Sequence, residues 1–206
     1  SRRTLALNSA TGTGKTEFVG RLIQSLPEAS SVLALTHRVS LVESNARRLA
    51  TLHYKDEFSA SAPRIASTID SLHKQAGRVF DVLFIDEFLQ VLRHIASAGT
   101  TQERTIPLYE IFKQLIRSAG TVIVADANLN DSALLWLKAI RGDVYAVENA
   151  HLPTRPDTII FDSQIAAIEQ AISLVKADKG TVLIPCATQK TARLMHRLLQ
   201  SQCPDK

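Results

Sequence analysis

The chain has little cysteine, no long apolar run and almost no excess of charge. Among its 206 residues only Cys186 and Cys203 are cysteines. They stand at no zinc-like spacing, and two cysteines make no disulfide framework, so a reduced intracellular protein is expected. No apolar run approaches the roughly 20 residues of a membrane span, so no membrane partner is expected. The opening residues SRRTLALNSA make a poor signal peptide, because the apolar part is short and leads straight into a loop with functional character. They lack a methionine and become strand-like at once, which reads as a piece of a longer protein. There is no internal repeat of fixed period and no low-complexity tract. Lysine and arginine number 24 against 20 acidic residues, a net charge of +4. That balance permits nucleic-acid contact without arguing for it alone.

What is present is a core. Hydrophobic residues make up 45% of the chain, enough to exclude global disorder. Short runs rich in Val, Ile and Leu alternate with helical segments. The runs are Thr4–Asn8, Ser31–Thr36, Asp81–Asp86, Thr121–Asp126, Val144–Val147, Thr158–Phe161 and Thr181–Pro185. Their continuous apolarity predicts strands buried on both faces. Helical spacing links Phe18, Leu22 and Leu26, then Leu108, Ile111, Phe112 and Leu115, then Ile165, Ile168, Ile172 and Val175. The alternation predicts an α/β fold with a mostly parallel sheet and helices on both faces. The two prolines of His151–Thr158 mark a linker. The expected organisation is a domain over 1–150, a linker over 151–157, and the beginning of a second domain over 158–206.

Chemistry concentrates first in SATGTGKT, Ser9–Thr16. A strand, a glycine-rich loop ending Gly-Lys-Thr, and a helix form a phosphate-binding loop. Gly12 and Gly14 permit backbone conformations that a side chain would forbid. Backbone amides from Thr11, Gly12, Thr13 and Gly14 then converge on phosphates at the positive end of a helix. Lys15 adds a mobile cation, and the Thr16 hydroxyl is placed to ligate Mg²⁺. Ser9 stands where the usual pattern has its first glycine.

Asp86 and Glu87 follow the apolar run Val82–Ile85, at the strand end where ligands bind in parallel sheets. Asp86 would hold Mg²⁺, and Glu87 would orient or deprotonate an attacking water. The plainer alternative is an acidic helix start. Thr36-His37-Arg38 ends another strand on the same edge. A hydroxyl, an imidazole and a guanidinium there suit a sugar–phosphate backbone. The alternatives are a helix-start arginine and a local hydrogen-bonding histidine. No second histidine stands at a metal-like spacing, so no zinc is expected. Arg47 and Arg48 read as a solvated face.

Taken in order, SATGTGKT, VLALTHRVSL, IASTIDSL and DVLFIDEFLQVLRHI resemble motifs I, Ia, Ib and II of superfamily 2 helicases. They are similar above all to the helicase part of the replication origin-binding protein family, known from herpesviruses, plasmids and phages. The resemblance implies a P-loop NTPase of RecA-like fold, with the start of a second RecA-like domain after the linker. It implies an ATP-dependent helicase or translocase acting in replication initiation, with ATP and Mg²⁺ as cofactors. Lys15 and Glu87 would be catalytic, and Thr36, His37, Arg38, Ser67 and Thr68 would track single-stranded DNA. VIVADANLND resembles the third motif, which would make Asp126 and Asn128 coupling residues. The partners implied are DNA, the rest of the helicase and other replication proteins. The compartment would be the cytoplasm for a bacterial, plasmid or phage protein and the nucleus for a eukaryotic virus.

The resemblance also implies an arginine finger on the second domain. Arg193 and Arg197 instead read as helix-surface residues, Thr188 as a helix cap, and Lys190 as a solvated lysine. Slow hydrolysis by this chain alone is therefore expected. Two other readings are a P-loop small-molecule kinase, disfavoured by Asp86-Glu87, and a nucleotide-gated scaffold of a replication complex without motor activity.

Overall fold

Val32–Thr36 and Val82–Asp86 are buried at every position. Only a strand covered on both faces does that. The computed structural model describes residues 2–56, 59, 61–97, 102–150, 159–177, 182–186 and 188–204. The chain divides into two compact units, Ser1–Thr154 and Arg155–Lys206.

The first unit is a seven-stranded sheet. Its strands are β1 (Arg3–Asn8), β2 (Val32–Thr36), β3 (Leu52–His53), β4 (Arg64–Thr68), β5 (Val82–Asp86), β6 (Thr121–Asp126) and β7 (Tyr145–Glu148). They lie in the order β3-β4-β2-β5-β6-β1-β7, every pairing parallel. The helices are α1 (Lys15–Gln24), α2 (Val39–Leu49), α3 (Phe88–Ser97), α4 (Gln102–Ser118) and α5 (Asp131–Arg141). A 3₁₀ helix, Ile69–Gln75, follows β4. The chain runs towards β3 through α1 and α2, then back towards β7 through α3, α4 and α5. Right-handed crossovers put helices of opposite direction on opposite faces.

Register places the strand ends in one row. Thr36 pairs with Thr68, and Leu35 with Ile85, which sets Thr36 level with Asp86. Asp86 pairs with Ala125, and Asp126 with Asn8. Residues far apart in sequence thus meet on one edge.

Two close approaches set the packing within this unit. Gly20 of α1 would bring a Cβ to 3.0 Å from the Arg48 carbonyl, so its hydrogen lets α1 and α2 close on each other. Gly120 is tighter, because a Cβ there would lie 2.8 Å from the Asp81 carbonyl oxygen. Both ends of that contact are held, by Gly120 N–H to Phe80 at 3.0 Å and Thr121 N–H to Asp81 at 2.7 Å. Gly120→Ala should therefore cost about 1–3 kcal/mol of stability, read as a lower denaturation midpoint with an unchanged slope. Arg141 ties α5 to the end of α4, donating to the carbonyls of Ile116, Arg117 and Ala119 at 2.8–3.3 Å.

β3 and β4 have no counterpart among the strands expected from sequence. At the expected strands Thr158–Phe161 and Thr181–Pro185 the structure differs. Thr158 and Thr181 lie outside the described residues. Among the described residues, 159–161 and 182–185 pair with no strand. Backbone groups without ladder partners stay in water, and Ile160 and Leu183 are 89% and 88% exposed. Among its described residues the second unit has the helices α6 (Gln164–Ala177) and α7 (Gln189–Gln202). Neither helix buries a residue fully; along α7, Met195 and Leu199 are partly buried and Ala192 is exposed. Thr188 caps α7, accepting from Thr191 N–H at 3.1 Å.

Candidate nucleotide site

Gly14 opens α1 with φ +83° and no side-chain cap. Gly12 has φ +79°, in the left-handed region that costs other residues about 1–2 kcal/mol. The first helical bond runs from Phe18 N–H to the Gly14 carbonyl at 2.9 Å. The amides of Lys15, Thr16 and Glu17 thus precede the helix ladder, which is the arrangement that receives an anion.

Ser9 closes the loop at its base. Its hydroxyl hydrogen-bonds the Thr13 hydroxyl, which donates to the Ala10 carbonyl at 2.6 Å. Asn149, just past β7, donates to the Ser9 hydroxyl at 3.1 Å. A glycine at this position would lose both contacts. The Lys15 ammonium donates back to the carbonyls of Ser9 and Ala10. Burial pulls its pKa below the ordinary value, and the carboxylates of Asp86, Asp126 and Glu87 oppose that.

A cavity of about 560 Å³ lies above the loop. Thr11, Gly12, Gly14, Lys15 and Thr16 line one side, and Asp86, Glu87, Asp126 and Asn128 line another. Arg38 and Arg48 also face it. Asp86 is 8% exposed. It accepts from Glu87 N–H at 3.1 Å and from the Asn45 amide at 3.4 Å. Burial pushes its carboxyl above the usual range. The Asn45 bond works against this, the nearby Glu87 charge adds to it, and the Glu87 N–H and Lys15 again oppose it.

That shift has a testable sign. An acid whose folded pKa is raised costs stability where it is ionised, and costs nothing below its unfolded pKa. Asp86→Asn should therefore stabilise the ligand-free protein at neutral pH. The advantage should shrink as pH falls from the raised value towards the ordinary carboxylate value. Thermal unfolding of both proteins across that range checks it.

Glu87 has φ +52°. A bulky non-glycine residue in that region stores strain, and such outliers cluster at functional sites. Its carbonyl accepts from Gln90 and Val91 at 2.9 and 3.0 Å, which starts α3. Its carboxylate lies 3.3 Å from His37 Nδ1, without hydrogen-bond alignment. Asp126 is tied at both oxygens, to Leu89 N–H at 2.8 Å and Asn128 N–H at 2.9 Å. The end of β6 is thereby bonded to the first turn of α3.

The expected track residues fall into two groups. Arg38 is exposed and flanks the cavity, and His37 is half-buried against Glu87. Thr36, Ser67 and Thr68 are all buried at 2% exposure or less. Neither their backbone nor their hydroxyls are open to a passing strand. Thr13 turns its hydroxyl inward to Ala10.

No protein-family model matches the chain. An uncharacterised protein of Picosynechococcus sp. is 32% identical over 97% of this chain and 23% of its own length. The replication origin-binding protein of human herpesvirus 6A is 23% identical over 97% of this chain and 27% of its own length. The chain thus spans about a quarter of the length of these relatives. Among solved structures, S. cerevisiae Dbp5 bound to RNA and ADP BeF3 superposes with TM-score 0.66, at 14% identity, over 98% of this chain and 57% of that one. The helicase MrfA does so with TM-score 0.62, at 13% identity, over 99% and 37%. The chain is similar in sequence to replication origin-binding proteins and shares the fold of superfamily 2 helicases.

For this helicase-type fold, sequence reasoning missed Asn45, Arg48, Gln90 and Asn149. Asn45 left a signal. It sits with Val42 and Leu49 on the buried stripe of α2, and an amide on an apolar stripe needs a buried partner. Arg48 and Gln90 left none, because tertiary packing alone brings them to the cavity.

Proposed function

We propose that this chain is the ATP-binding core of a DNA helicase or translocase acting in replication initiation. The observation that carries the reading is the convergence of Lys15, Thr16, Asp86, Glu87 and Asp126 on one cavity beside a bare helix N-terminus. The amides of the loop and the Lys15 ammonium would hold the phosphates of ATP. Glu87 would orient the attacking water and accept its proton. Asp126 and Asn128, bonded to each other and to α3, would pass the nucleotide state onward.

A magnesium ion suits the donor set. Asp86 is a buried carboxylate short of positive charge, and Thr16 offers a hydroxyl to the same cavity. A magnesium ion here would take most of its ligands from phosphate and water. When bound, the ion supplies charge neutralisation at the phosphates.

Arg38 and His37 would follow a single DNA strand, and the buried Thr36, Ser67 and Thr68 would shape the strand ends beneath them. The residues after the 151–157 linker would begin the second RecA-like domain. The rest of the helicase and other replication proteins would be the partners. A superposed structure that holds ADP BeF3 and RNA supports nucleotide and nucleic-acid binding by this fold.

Titrating ATP into this chain tests the reading. Binding should require Mg²⁺, and hydrolysis should be on the order of 10³-fold slower than in the whole protein, where a second domain can supply an arginine finger. Equal binding with and without Mg²⁺, or full turnover by this chain alone, would overturn it.

A further inference from the structure

His37 stands beside Glu87, and neither of the roles proposed above requires the other. The imidazole Nδ1 stands 3.3 Å from a Glu87 carboxylate oxygen. The two come from different elements, His37 from the turn after β2 and Glu87 from the turn after β5. The next residue, Arg38, is an exposed guanidinium on the cavity rim and the N-cap of α2. His37 therefore has the candidate strand track on one side and the candidate water-activating carboxylate on the other.

We infer that His37 is a positioning residue that restrains Glu87 until a nucleic-acid strand engages Arg38. The inference rests on the reading of Glu87 as the residue that activates water. Three features support it. The Glu87 backbone is held at φ +52°, which fixes where its side chain starts, and the half-exposed carboxylate end lies beside His37. The contact itself is close but poorly aligned, so it can be broken at low cost. His37 is enclosed enough that burial lowers its pKa, with Glu87 and Asp86 opposing and Arg38 and His94 reinforcing the drop. A largely neutral imidazole restrains a carboxylate without locking it as a full ion pair would. His94 is in turn held by Asp70 at 2.7 Å.

Strand binding at Arg38 would shift the short turn that carries His37. Glu87 would then be released towards the attacking water. Hydrolysis would be slow without a strand and faster with one, and the switch would sit within this domain.

The test uses the whole protein and four measurements on each variant: ATP affinity, KM, and kcat with and without single-stranded DNA. His37→Ala should leave ATP affinity and KM close to wild type. Its kcat without DNA should rise several-fold, and the ratio of stimulated to unstimulated kcat should fall towards one. His37→Asn, which carries an amide nitrogen near the place of Nδ1, should restore much of the ratio. A wild-type ratio in His37→Ala would overturn the inference, as would an equal fall of kcat with and without DNA. Failure of the functional reading looks different: the wild-type protein would not bind MgATP at all.

Discussion

Glu87→Gln should lower kcat for ATP hydrolysis by about 10²–10⁴-fold, the usual contribution of a positioned proton acceptor. ATP affinity should change little. Glutamine keeps the size and the hydrogen-bonding oxygen of the side chain but cannot accept a proton. It should also keep the fold, because the structural roles at this position belong to the backbone. The Glu87 N–H donates to Asp86, and the Glu87 carbonyl starts α3. Single-turnover kinetics beside an equilibrium titration with ATP separates the two effects. Loss of binding in step with loss of turnover would place Glu87 in ground-state binding instead.

Lys15→Ala should show the opposite balance. The ammonium is the one lysine charge on the cavity wall, and charge-assisted hydrogen bonds contribute about 1.5–3 kcal/mol. ATP affinity should fall roughly 10–100-fold on that basis, and turnover at saturation by about 10²–10³-fold, as when other preorganised donors to developing charge are removed. The ligand-free protein should not suffer. Lys15 is partly desolvated there and donates to two loop carbonyls that water can serve once the side chain is gone. A thermal midpoint close to wild type, together with lost nucleotide-induced stabilisation, is the expected pair of results.

The parts of this site that could be read from sequence are those built from adjacent residues. Thr11–Thr16 form a loop whose conformation follows from Gly12 and Gly14. Asp86 and Glu87 end a strand whose burial is written in four consecutive apolar residues. Four of the seven strands announce themselves in the same way; the apolar run at Val144–Val147 does form β7, but at the sheet edge with every residue exposed. β4 does not. Arg64–Thr68 has one large apolar residue, and its burial comes from lying between β2 and β3. The hydroxyls of Ser67 and Thr68 look like surface chemistry in sequence and are interior in the fold. Strand-like residues 159–161 and 182–185 show the reverse, because apolarity without a neighbouring strand makes no ladder.

Contacts across long sequence separations were the least legible. Ser9 looks like a missing glycine until Asn149 is seen to reach it across 140 positions. Asn45 reaches Asp86 across 41. Neither spacing carries a periodic signal, and only the row of aligned strand ends makes the encounters necessary. The contact of His37 with Glu87 belongs to the same class. It converts two separately readable motifs into one device.

The central claim is that this cavity drives movement along a nucleic-acid strand. The most direct measurement is the ATP hydrolysis rate of the whole protein as single-stranded DNA is added, with Glu87→Gln run alongside. A rate that rises and saturates with DNA, and is abolished by the substitution, is the predicted result. A rate indifferent to DNA, or one that survives in Glu87→Gln, would contradict it.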